Sequence, residues 1–178
     1  MTSLTQSYLD NADRFTAVVD ATGDWDAPSP CTEWNTAQVV DHVVSTQRDY
    51  LDKQGAALGA LPDSDPGVAW HAHLDGVRAA MADESFAARE FDGYFGRTTI
   101  EEQLANFYGF DMLVHRWDLG SAVSQPVTFT DDELDRLETA MDGLGDMLYS
   151  EGVCKPAIEV ADDATRQEKV LGRLGRRG

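Results

Sequence analysis

The sequence predicts an all-α protein, a four-helix-type bundle with an additional helix and a short C-terminal tail. Three observations carry this expectation. Apolar residues recur at three- and four-residue spacing through five long segments, capping residues open several of them, and Pro and Gly separate them. Residues 1–154 are assigned to the bundle and 155–178 to a tail packing on it.

The first helix is expected over residues 3–21, with Leu4, Tyr8, Phe15 and Val19 on one stripe and Gly23 after its end. A Pro-containing connection leads to the second, over 36–54, whose inner stripe is Val39, His42, Val43, Thr46 and Tyr50. Pro62, Pro66 and Gly67 mark a loop, and the third helix, 68–82, sets Trp70, His73, Val77 and Met81 on one side. Residues 90–97 read as irregular or extended, with Gly93 and Gly96 as breakers.

Thr98 and Glu101 then offer a capping box for the longest and most apolar helix, running to about Val123. Ile100, Leu104, Phe107, Tyr108, Asp111, Val114 and His115 are expected on one face of it. Thr130 and Glu133 open a fifth helix, in which Leu134, Leu137, Met141, Leu144 and Leu148 form a bundle seam. Beyond Gly152, residues 157–160 are expected to be extended and 164–174 to form a short helix capped by Asp163.

The charge balance narrows the partners. With 32 acidic against 14 basic residues the formal net charge is −18, which repels phosphate backbones and anionic lipid. Nucleic acid and membrane surfaces are therefore not expected as partners. Six of the 14 basic residues follow Cys154, so the tail is the one basic segment. No apolar run approaches the ~20 residues that span a bilayer, and the N-terminal residues lack the pattern of a signal peptide. Two cysteines, Cys31 and Cys154, make no disulfide framework; reduced thiols in a cytoplasmic protein are expected. Few Lys beside abundant Ala, Asp and Arg suit a GC-rich genome.

The chemistry-bearing residues are His42, inside the apolar run Val39-Val40-Asp41-His42-Val43-Val44, and Asp111 with His115, four apart on a later helix. Residues at i and i+4 stand one above the other on a helix, so a carboxylate and an imidazole there can converge on one ion. A histidine from a facing helix would supply a third ligand, and three protein ligands leave a position open, as catalytic zinc sites do. Asp111 also lies on an apolar stripe, where an unpaired carboxylate is costly to bury. A metal ion or a charged His115 would relieve that cost. Spacing alone leaves both readings open: a metal site, or a buried hydrogen-bonded cluster.

Neighbouring residues are weighed in the same way. His73, near Trp70 and Val77, is a pocket candidate beside the plainer reading of a satisfied core histidine. Tyr108, one turn before Asp111, is the candidate acid or base on that face, and Trp34 is expected to pack beside the approach to the site. His71 is expected in solvent. Arg48 and Arg116 read as surface arginines that could offset an anionic ligand. Cys31 has no nearby partner with zinc-ligand spacing.

The segment Pro28-Ser29-Pro30-Cys31-Thr32-Glu33-Trp34-Asn35-Thr36-Ala37-Gln38-Val39-Val40-Asp41-His42 resembles the Pro-Cys-x-x-Trp-(x)7-His opening of the mycothiol-dependent maleylpyruvate isomerase metal-binding domain, a member of the DinB-like superfamily. Asp111-Met112-Leu113-Val114-His115-Arg116-Trp117-Asp118-Leu119 resembles that family's second motif, an acidic residue, three spacers, His, then Trp-Asp-Leu. The segments around Ile158–Ala164 and Leu171–Arg176 look like the ends of its short single-domain members.

The resemblance implies a DinB-like four-helix bundle whose divalent metal, usually zinc with nickel or iron as alternatives, is held by His42, Asp111 and His115. It also implies mycothiol as co-substrate. The expected function is a thiol-dependent transferase or isomerase acting on a small electrophile, as a monomer or homodimer. The alternative is a non-catalytic metal- or ligand-binding bundle. Two features depart from the isomerase: Asp111 stands where its motif has Glu, and the residues after Cys154 are too few for its second, α/β domain.

Overall fold

The computed structural model describes residues 1–31, 34–150 and 153–178. Thr32 and Glu33 of the first motif and the Gly152 boundary lie outside the described residues. No helix is long and apolar enough to cross a membrane among those described.

The expectation of an all-α bundle is met. The elements are α1 (Ser3–Asp20), α2 (Thr36–Lys53), α3 (Pro66–Met81), the single turn α4 (Glu84–Ala87), a hairpin of β1 (Glu90–Gly93) and β2 (Gly96–Thr99), α5 (Ile100–Gln103), a π turn (Leu104–Tyr108), α6 (Gly109–Ala122), α7 (Asp131–Leu144), a 3-10 segment (Gly145–Tyr149) and α8 (Arg166–Arg173). They fall into two compact units, Met1–Val127 and Thr128–Gly178. The sequence-derived boundary stands later, after Cys154; α7 belongs with α8 in the second unit.

In the first unit α1 packs on α3 and α6, and α2 packs on α3 and α6, so four helices enclose one core. Tyr8, Phe15, Val39, Val43, Trp70, Val77, Met81, Ile100, Leu104, Met112 and Leu119 fill it, each at most 1% exposed. Burying side chains of this size contributes about 1.5–3 kcal/mol apiece. The helices begin where the chain offers an acceptor for their free N–H groups. Thr2 accepts from Thr5 N, Asn35 and Gln38 form a capping box on α2, and Asp65 accepts from Gly67 and Val68 with Pro66 in the first turn of α3.

The box before the long helix is one residue later than expected, Thr99 with Glu102. Thr98 instead pairs with Phe91 across the hairpin. Glu101 turns inward, where its carboxylate accepts from the hydroxyls of Thr2 and Thr5, the latter at 3.0 Å.

The long helix runs from Ile100 to Ala122 but is not regular. In the π turn Gly109 N–H reaches back five residues to Leu104 O. The expected common face therefore breaks: Leu104 is buried, whereas Phe107 is 44% exposed. One surplus residue advances the helix by about 100°, which the sequence periodicity does not reveal.

In the second unit Thr130 and Glu133 form the expected box, and the seam holds Leu134, Leu137, Met141 and Leu148 buried. The cap of α8 is Thr165, boxed with Glu168, not Asp163. Residues 157–160 join no strand ladder; Ile158 N donates to Gly172 O at 2.9 Å.

Candidate metal centre

Three elements build the site. Trp34 precedes the Asn35 cap in a connection held by its own backbone: Trp34 N donates to Cys31 O at 2.8 Å, and Ser29 N donates to Trp34 O at 3.0 Å. Two turns into α2, His42 sits at the margin of the buried stripe, its side chain 26% exposed. From α6 come Asp111 and, one turn later, His115, which is 6% exposed.

These residues converge. Asp111 Oδ1 lies 3.4 Å from His42 Nε2 and 3.3 Å from His115 Nε2. One ligand atom from each of the three lies within 4.8 Å of the other two. The imidazole rings stand 4.9 Å apart at 69°, and the Trp34 ring covers both, 4.6 Å from His42 and 5.6 Å from His115. Asp111 Oδ2 is buried and has no hydrogen-bond partner.

The electrostatics follow from this packing. Burial opposes ionisation of Asp111, yet the charge of His115, then its hydrogen bond and that of His42, hold the carboxyl well below the usual carboxylate range. Burial likewise opposes the imidazolium of His115, and Asp111 with Asp118 overrides it, raising the group to about 9. Without a metal the cluster is thus an anion flanked by a cation. A divalent ion matches the same donors: ligands about 2.0–2.2 Å from one zinc are about 3–3.5 Å from each other, as Asp111 Oδ1 is from both imidazoles. The orphaned Oδ2 supplies a further acceptor.

Two other sequence candidates take different places. Tyr108 stacks on Tyr50 at 4.9 Å; burial and the charges of Asp111 and Asp49 push its hydroxyl to about 12, so near neutral pH it donates and does not act as a base. His73 is not part of the cluster. It is fully buried, with Nε2 3.0 Å from Gln47 Oε1, an acceptor it shares with the Tyr8 hydroxyl at 2.5 Å. His71 is exposed and pairs with Asp20 at 2.7 Å. Arg116, expected on the surface, is 4% exposed.

Sequence reasoning misses Asp118. It is fully buried, and its Oδ2 accepts from His115 Nδ1 at 3.0 Å. The signal is present: Asp118 lies three residues after His115, the helical spacing that brings a carboxylate beneath an imidazole. Metal-bound histidines as a rule give their second N–H to such a partner.

Comparison with known proteins agrees with this arrangement. No curated protein and no solved structure matches the chain. Residues 7–120, well over half of the sequence, match the family model described as the mycothiol maleylpyruvate isomerase N-terminal domain. The matched stretch contains the four-helix core, Trp34 and the whole His42–Asp111–His115 cluster with Asp118. On this evidence the chain, a DinB-like helical bundle, belongs to the mycothiol maleylpyruvate isomerase N-terminal domain family.

Proposed function

We propose that His42, Asp111 and His115 hold a divalent metal, zinc foremost, and that the site acts on a small electrophile with a low-molecular-weight thiol of the mycothiol type. The observation that carries this reading is the meeting of two imidazoles and one carboxylate, contributed by two helices, within 4.8 Å. Composition adds support, since an acidic surface suits neither nucleic acid nor anionic membrane, and Cys31 and Cys154 are thiols and not a disulfide, as suits the cytoplasm.

A divalent ion in such a site supplies Lewis acidity, lowering the pKa of a coordinated thiol or water toward neutrality. The chain's own residues do the rest. Asp118 orients His115 through Nδ1 and leaves Nε2 facing Asp111. Trp34 shields both imidazoles from water on one face. Tyr108 keeps its proton and can donate a hydrogen bond to a developing anion. The reaction class is addition of the thiol to the electrophile, completed either as a transfer or, after elimination, as an isomerisation.

Elemental analysis of protein purified without chelator tests the first half. Wild type is expected to carry about one equivalent of metal and His115→Ala almost none, because a two-ligand remainder binds weakly. Full metal content in His115→Ala would overturn the ligand set. Thiol-dependent turnover against a panel of electrophiles tests the second half; a metal-loaded protein inactive with every thiol would leave a binding module.

A further inference from the structure

The phase of the helix bearing Asp111 and His115 depends on the π turn before it. In an unbroken α-helix Leu104 and Asp111, seven residues apart, would lie within about 20° of one line. Met112 would then fall about 80° from that line. The burial pattern is the reverse. Ile100, Leu104, Met112 and Leu119 share the core and are fully buried, while the Asp111 side chain is 26% exposed. The surplus residue gives Met112 the core line and turns Asp111 about 100° from it. There it meets His42, which is equally exposed at the margin of α2. A regular register would press the carboxylate into the apolar core, where it has no partner.

A π turn is uncommon and needs something to hold it. Asn11, on α1, is 6% exposed, and its Nδ2 donates to Gly109 O at 2.9 Å across 98 residues of sequence. Gly109 is the residue that follows the π turn and whose own N–H closes it on Leu104 O. A buried polar side chain of α1 thus grips the turn at the place where the register is decided.

We propose that Asn11 is a positioning residue: its bond to Gly109 O selects the π register and thereby sets Asp111 and His115 against His42. The inference uses the metal reading for its most sensitive readout, and a metal-free readout separates the two. Deleting Asn106, an exposed residue of the turn, puts Met112 seven positions after Leu104, so a regular helix then has the correct phase without help.

The test is a double-mutant cycle read by zinc affinity. Asn11→Leu in the full chain is expected to weaken zinc binding about tenfold or more, the scale of losing a supporting residue. In the Asn106-deleted chain the same substitution is expected to leave affinity within about threefold, as independent changes do. The metal-free readout is the proton contact in solution NMR between the His42 and His115 rings, 4.9 Å apart. Asn11→Leu is expected to abolish it in the full chain and not in the deleted one. Equal losses in both backgrounds, no loss in the full chain, or a deletion chain that does not fold would overturn the proposal. A wild type that binds no zinc, with the ring contacts still responding in this pattern, would retire the metal reading and keep the register claim.

Discussion

Asp118 Oδ2 lies 3.0 Å from His115 Nδ1, and Asp118 is fully buried beneath the one residue of the cluster that is itself nearly buried. A carboxylate only accepts, so this contact requires a proton on Nδ1 and commits Nε2 to the site. Asp118→Ala is expected to lower zinc affinity about 10–100-fold, as lost orienting partners do. Asp118→Asn, which keeps an acceptor but no charge, should lose less. Competition with a chromophoric chelator measures both. Wild-type affinity in Asp118→Ala would mean that packing alone orients His115.

Trp34 gives the site an optical reporter. Of the four tryptophans, Trp34 is the one whose ring lies against both His42 and His115. Cobalt or nickel titration is expected to quench part of the emission, and Trp34→Phe to remove most of that change while keeping the metal. Quenching that survives in Trp34→Phe would place the ion near another indole.

The acid limb of stability should belong to His73. Burial first, then the charge of Arg48, lowers this imidazole to about 3. In the unfolded chain it titrates near 6.5, so below that pH the unfolded state binds the extra proton. The contribution of His73 is complete above about 6.5 and is lost as pH falls toward the folded value, by at most about 1.4 kcal/mol per pH unit. Urea midpoints at a series of pH values measure this slope, and His73→Gln should flatten it. An unchanged slope in His73→Gln would assign acid unfolding to other groups.

Most helices are legible in the sequence because their stripes and caps are local. Thr130–Glu133 and the Trp70–His73–Val77–Met81 stripe need nothing beyond their own segment. The misplaced features have non-local causes. The hairpin keeps the chain extended through Thr99, so the cap falls there and not at Thr98, and Glu101 leaves the surface because Thr2 and Thr5 supply donors from α1. Phe107 reads as a core residue until the π turn shifts the register. That turn is anchored by Asn11 from another helix, which no periodicity reports.

The site divides in the same way. Asp111 and His115 are visible as a helical pair, and His42 joins them through the motif resemblance. Asp118 hides inside the motif as an ordinary acidic residue, and of the two readings open for His73, pocket or core, packing against Gln47 gives the core.

Metal binding should release a proton. His115 lies between two carboxylates, Asp111 Oδ1 3.3 Å from Nε2 and Asp118 Oδ2 3.0 Å from Nδ1. Neither oxygen can donate when ionised, so both nitrogens carry protons in the metal-free protein, in keeping with a group raised to about 9. An ion can take Nε2 only after that proton leaves. Zinc affinity is therefore expected to rise with pH by up to about tenfold per unit below about 9, then level off as His115 becomes neutral by itself. Calorimetry in buffers of different ionisation enthalpy counts the proton directly, with about one released per zinc near neutral pH. Asp118→Asn, by removing one of the two charges that raise His115, should move the plateau to lower pH. Affinity that stays flat from about pH 6 to 8 in the wild type would show that the Nε2 of His115 is not the atom that binds.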